Sequence, residues 1–352
     1  MRTHIKIGVQ LLFLLFGIVS SNAGERGHLR QIWKLRLKEV IQSANVHEPL
    51  AVFGLSFSPD GQRIAAVVGS TWKEENVIIL RTADPKTDVQ RLGVNPQYYE
   101  SEVVSSRSIL WPTPGHMILD RSLLNLSNGT LCTLPFTGYN LFSVPDQIIG
   151  SDLKVYDWNC QVRRQIDHQA TWRLVDVSAE RSLLCFYQFV TRGAMLVRVD
   201  SFVVDANSQK ILFMVPTTRA IGVKFAANGK TICGMQGREW RDSVSCWDID
   251  TGKEVSSSGR PTHLFIQPAI NAPRIVLSDY GRKIDFIDIR WTIGSLRRRI
   301  IWDYRTGQEI VSWKPKFQDA ITGDNPAAVY RRSYRFAISP DGEYIIEGGR
   351  EN

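Results

Sequence analysis

Hydrophobic residues in this chain come in short runs, broken at regular intervals by clusters of Pro, Asn, Asp, Ser and Gly. Runs of that length bounded by turn residues predict β-strands joined by tight hairpins, not helices. The clearest unit is Phe57-Ser58-Pro59-Asp60-Gly61-Gln62-Arg63-Ile64-Ala65-Ala66-Val67, and it returns as Ile338-Ser339-Pro340-Asp341-Gly342-Glu343-Tyr344-Ile345-Ile346. In each copy Pro presets φ, Asp can bond the backbone two residues on, and Gly takes the positive φ of the turn. The chain therefore reads as one small antiparallel unit repeated around an axis.

A third copy of the turn is Ala227-Asn228-Gly229-Lys230. Looser ones stand at Pro112-Thr113-Pro114-Gly115, Val144-Pro145-Asp146-Gln147, Ser178-Ala179-Glu180-Arg181 and Asn271-Ala272-Pro273-Arg274, which makes seven turns between first and second strands. A second series follows each third strand. Its strong members are Trp247-Asp248-Ile249-Asp250-Thr251-Gly252 and Trp302-Asp303-Tyr304-Arg305-Thr306-Gly307. Weaker members lie at Leu126-Ser127-Asn128-Gly129-Thr130, Tyr156-Asp157-Trp158-Asn159, Asp205-Ala206-Asn207-Ser208 and Ala83-Asp84-Pro85, six in all. Seven turns against six means that the last unit stops after two strands. The missing strands are expected from the other terminus, where Gln31-Ile32-Trp33-Lys34-Leu35-Arg36-Leu37 alternates in strand fashion. A ring closed by strands from both ends removes the exposed sheet edge. Two insertions, 285–299 and 314–333, interrupt the period.

The Ser-Pro-Asp-Gly turns and the Trp-Asp…Thr-Gly-(Lys/Gln)-Glu segments resemble WD-repeat and related periplasmic propellers over residues 30–352. The resemblance implies an all-β, seven-bladed β-propeller closed by strands from both termini and acting as a toroidal binding scaffold. The Gly-His dipeptide of the strict WD repeat occurs only as Gly27-His28 and Gly115-His116. Neither leads into a Trp-Asp within its own unit, so the His–Asp network of that family is not expected.

The N-terminus changes the picture. Arg2, His4 and Lys6 precede an apolar run over residues 7–19, and Ser21-Asn22-Ala23 supplies small residues before a cut. This is the pattern of a secretory signal peptide over 1–23, leaving a single propeller domain at 24–352 that is secreted or periplasmic. An anchor helix is the other reading, and the run is short against the roughly 20 residues a span needs. The formal charge is +8, but short runs such as Arg297-Arg298-Arg299 lack the aromatic interleaving of a nucleic-acid module. The excess reads as solvated loops able to face an anionic surface. The five cysteines, 132, 160, 185, 233 and 246, are too scattered for a disulfide framework or a zinc site. Cys233 and Cys246 are expected to face each other across a hairpin. Directly opposed strands suit a bridge poorly, so two buried thiols are expected there.

No G-x-S-x-G elbow, H-E-x-x-H helix, P-loop or dinucleotide fingerprint occurs, and the six His are scattered. The expectation is a non-enzymatic, monomeric scaffold without cofactor or metal that binds a protein or glycan. The alternative is a propeller enzyme or enzyme subunit, hydrolase or quinoprotein-like, whose active residues assemble across blades. Connections from second to third strands, and from one unit to the next, emerge on a common face. That face receives Trp72, Tyr98, Tyr99, Arg238, Trp240, Arg241 and Trp291. Tyr, Trp and Arg are the residue types that anchor interfaces; folding back to cap their own blades is the competing reading.

Overall fold

Two hairpin turns at opposite ends of the chain fold alike, bond for bond. The Ser58 hydroxyl donates to Asp60 Oδ1 at 2.5 Å and accepts from the Arg63 amide at 2.9 Å, while the Gly61 amide reaches Ser58 O at 2.8 Å. Ser339, Asp341, Tyr344 and Gly342 repeat the set at 2.5, 2.9 and 2.9 Å. Gly61 and Gly342 take φ of 70° and 71°, the left-handed region that a side chain would strain. The later turns are equally regular. Asp248 Oδ1 accepts from the Thr251 amide at 2.7 Å, and Asp303 Oδ1 from the Thr306 amide at 3.1 Å.

In the computed structural model these turns join the 28 strands found among the described residues into seven sheets of four. The structure describes residues 10–19, 28–36, 51–69, 75–84, 90–93, 109–119, 122–134, 142–144, 147–150, 153–166, 171–178, 181–192, 195–217, 223–226, 229–236, 243–258, 263–269, 271–280, 296–313 and 336–351. Every regular element among them is a strand, and every pairing is antiparallel. Sheets one to six span 51–93, 109–133, 142–165, 172–215, 224–257 and 263–313. All seven first-to-second turns and all six third-to-fourth turns read from the sequence fall where the strands put them.

Each sheet presents apolar side chains on two faces, and its neighbours cover them. Ala65, Val67 and Ile79 of sheet one pack with Trp111 and Met117 of sheet two. Ile149 and Val155 of sheet three meet Phe186 and Phe202 of sheet four. Cys185 and Val203 meet Ile232 and Trp247, Met235 and Val244 meet Leu277 and Trp302, and Val276 and Ile301 meet Phe336 and Ile345. Gly348, in the seventh sheet, lies against Val52 and Leu55 of the first, where an added methyl would sit 3.1–3.3 Å from their side chains. First strands touch in turn from sheet one through sheet seven, and the first strand of sheet seven touches that of sheet one.

Polar groups tie the turns of successive sheets. Arg63 donates to Pro114 O at 3.0 Å, Arg181 to Gly229 O at 3.3 Å and Asp250 at 2.6 Å, and Arg274 to Gly342 O at 2.8 Å and Glu343 at 2.7 Å. Each arginine reaches one sheet forward and satisfies a turn carbonyl there. Between sheets six and seven the tie is buried: the Arg299 guanidinium, 3% exposed, donates to Glu347, 1% exposed. Trp313 Nε1 donates to the same carboxylate oxygen at 3.0 Å, and the Phe336 ring centroid lies 4.1 Å from the guanidinium carbon.

Three expectations are corrected. The seventh sheet runs Phe336–Ile338, Tyr344–Glu351, Gln10–Val19, His28–Arg36 in order. The strand on Tyr344–Glu351 is therefore Gln10–Val19, with Gln10 opposite Glu351 and Gly17 opposite Tyr344, and residues 31–36 sit one place further out. An unbroken apolar run suits a place with neighbours on both sides, whereas the Lys- and Arg-bearing strand suits the edge. The cysteines are bridged, Cys132 to Cys160 and Cys233 to Cys246, with Cys185 free and buried. Cys132 and Cys160 are 28 residues apart in sequence and lie in successive sheets, a relation that turn spacing along one chain conceals. Cys233 and Cys246 sit opposite each other with Cα atoms 4.0 Å apart, close enough for direct bridging. Lastly, Leu296–Asp303 is the third strand of sheet six, so Arg299 belongs to that strand and not to an insertion. Residues 296–298 lie in the same strand, while 285–295, and 314–333 whole, lie outside the described residues.

Glu347→Ala strands a buried guanidinium and is expected to cost about 3–5 kcal/mol in urea unfolding, while Arg299→Met with Glu347→Leu recovers most of the loss; a single variant no worse than the double contradicts this. Peptide mapping without reductant is expected to recover Cys132 with Cys160 and Cys233 with Cys246, and Cys185 as the free thiol; four free thiols at the paired positions contradict it.

Candidate functional site

Up-and-down antiparallel sheets deliver their connections to two opposite faces. One face carries the first-to-second and third-to-fourth turns, which are short and bound to one another. In five sheets the residue after the third strand donates its amide to a carbonyl of the first-to-second turn: Thr82 to Gln62, Leu126 to Gly115, Ala206 to Ser182, Ile249 to Lys230 and Tyr304 to Pro273, at 2.8–3.1 Å. The Thr251 hydroxyl and amide hold the Asp248 carboxyl below the ordinary aspartate range, and the Ser208 amide does the same for Asp205. Carboxylates this committed to their own turns are scaffold.

The opposite face receives the second-to-third connections and the links between sheets. Trp72, Tyr98, Tyr99, Arg238, Trp240, Arg241 and Trp291 all fall in those connections, and all lie outside the described residues. What the structure adds is a projection on the same face that sequence reading missed. In sheet four the strands Leu183–Arg192 and Met195–Asp205 pair out to Arg192 opposite Met195. The first strand, Trp172–Ser178, stops opposite Gln188. Among the described residues no neighbouring strand pairs with the hairpin from Phe189 onward. Phe189 is 49% exposed and meets the Tyr187 ring edge-on at 5.1 Å.

The base of this hairpin is rigid. Trp172, Phe186 and Phe202 form an aromatic triangle with centroids 4.6–6.0 Å apart, a geometry worth about 0.5–1.5 kcal/mol per pair beyond burial. The signal available in the sequence was length: residues 183–205 are rich in apolar and β-branched types and hold neither Pro nor Asn to break the run. A projecting aromatic on a fixed stem offers a contact surface at little entropic cost.

Further inward, Asp176 joins the first strands of sheets four and five. Its Oδ2 accepts the Phe225 amide at 2.7 Å and its Oδ1 lies 3.3 Å from Lys224 Nζ. Behind it, burial pushes the Cys185 thiol far above its ordinary value, so that it stays protonated. His116, of the Gly-His dipeptide, stacks on Trp158 of the next sheet at 4.6 Å and lies 3.1 Å from the Thr113 hydroxyl. Burial lowers its pKa, favouring the neutral ring that such stacking suits. Among the described residues no three His, Cys, Asp or Glu side chains converge as a metal site.

No protein-family model and no curated protein sequence matches the chain. Solved structures do. The C-terminal WD40 domain of Sif2 superposes with a TM-score of 0.53 at 13% identity, over 96% of this chain and 89% of that one. An oligogalacturonate lyase in complex with manganese gives 0.52 at 10% identity, over 96% of both chains. The β-propeller domain of the Trilobed protease from Pyrococcus furiosus, described as having an open velcro topology, gives 0.50 at 12%, over 84% of this chain and 93% of that one. At such identities the likeness is one of fold: this chain has a WD-like β-propeller fold.

Proposed function

We propose that the protein is an exported, seven-bladed β-propeller, closed by strands from both termini, that binds a protein or glycan partner without catalysis. The partner docks on the face of the second-to-third connections, where Phe189 stands on its projecting hairpin and to whose connections the sequence assigns Trp72, Tyr98, Tyr99, Arg238, Trp240, Arg241 and Trp291. The exposed Phe189, held out on a rigid stem on the face that gathers these interface-forming residue types, carries this reading. The two cystine bridges support export, because such bonds persist in oxidising compartments. Cleavage after Ala23 belongs to the same reading; it removes Gln10–Val19 and leaves His28–Arg36 as the N-terminal strand of the seventh sheet. The likeness to a lyase is at the level of fold and brings no catalytic residue with it.

The test is affinity capture from the native envelope or secreted fraction, using the chain as secreted. Phe189→Ala, Trp72→Ala and Trp240→Ala are expected to abolish capture and leave the Tm unchanged. Undiminished capture, or a fall in Tm showing that these aromatics cap their own blades, overturns the reading.

A further inference from the structure

The outermost strand of a sheet shows its unpaired backbone to solvent, and proteins protect it with charge or brevity. Most outer strands here follow that rule. Gln90–Gly93 carries Arg91, Val162–Gln165 carries Arg163 and Arg164, Glu254–Ser257 and Gln308–Trp313 carry Glu254 and Glu309, and His28–Arg36 carries three cations. Leu131–Thr133 is only three residues long and is tied to the next sheet by Cys132. Sheet four departs from the rule: its outer strand is Ile211-Leu212-Phe213-Met214-Val215, without one polar residue. Phe213 and Val215 turn inward, Phe213 lying against Gly252 of sheet five. Ile211, Leu212 and Met214 are 48%, 48% and 50% exposed. Both ends are fixed, by Gln209 at φ 58° and by Pro216, which has no amide to donate.

We propose that Ile211–Val215 is a strand-addition site for an extended polypeptide segment that is apolar in its centre and acidic in its flanks. Main-chain pairing to an open edge supplies affinity, and alternate side chains on the apolar strip supply selectivity. Charge names the occupant. Lys210 is exposed where the strand begins, and Arg164 is exposed on the outer strand of the sheet packed beside it, next to Arg163, which pairs with Asp157 at 2.6 Å. The whole chain carries +8. A second copy brings the same cations to the same place. A five-residue edge is also far below the roughly 1,000 Å² that a stable dimer interface needs. This edge is separate from the face proposed above and does not depend on it.

Fluorescence anisotropy tests the site with a fluorescein-labelled peptide of alternating valine and threonine flanked by paired glutamates, titrated with the full chain. Saturable binding is expected, weakened about tenfold or more when lysines replace the glutamates. Leu212→Glu with Met214→Glu is expected to weaken it at least as much at unchanged Tm, both side chains being half exposed. No binding, or equal binding by the variant or by the lysine peptide, overturns the proposal. So does a wild-type dimer in sedimentation that the double variant abolishes, because the occupant is then a second copy.

Discussion

A small four-stranded sheet with apolar side chains on both faces cannot shelter either face alone, and the whole of this architecture follows from that constraint. Each interval between sheets is filled from both sides, as where Cys185 and Val203 meet Ile232 and Trp247. Apolar burial at about 25 cal/mol per Å² supplies the drive, but it does not set the distance between sheets. The turns do that. Gly229 has no room for a side chain because Ser178 of the preceding sheet occupies the place. Arg181 and Arg274 then reach forward to the turn carbonyls of the next sheet. Non-directional attraction brings the sheets together, and hydrogen bonds with fixed geometry set their spacing.

Between sheets six and seven this division of labour is concentrated in one place. Arg299 and Trp313 both donate to one oxygen of Glu347 inside an apolar interval, with Phe336 beside the guanidinium, while Arg299 Nε and the second Glu347 oxygen are buried without a partner. A buried ion pair adds little net stability compared with well-packed apolar residues, yet it tolerates few alternative alignments. Its location next to the sheet assembled from both ends of the chain suits a registration role.

The sequence was most legible where a turn demands a particular backbone. Gly61, Gly252, Gly307 and Gly342 all take positive φ, and their neighbours Asp60, Thr251, Thr306 and Asp341 mark the same turns from side-chain chemistry alone. Legibility failed where one pattern serves two ends. An apolar run such as residues 11–19 is equally the core of a leader and a strand flanked on both sides, so composition could not say that it pairs with Tyr344–Glu351. It failed again across sheets. Cys132 and Cys160 meet only because successive sheets stack, and Arg299 reads as part of a basic loop until its burial opposite Glu347 is seen. Of the candidate face, the residues named from the sequence lie outside the described ones, and Phe189 was not legible, because its exposure depends on where the adjacent strand stops.

The fold depends on the seventh sheet, where the two ends of the chain are joined across Tyr344–Glu351. Hydrogen exchange of the backbone amides in that strand measures the joint directly. If an N-terminal strand covers it, these amides exchange as slowly as those of Thr231–Gln236, the corresponding strand of sheet five. If they exchange as fast as an open edge, the ring is not closed by the N-terminus and the account is wrong.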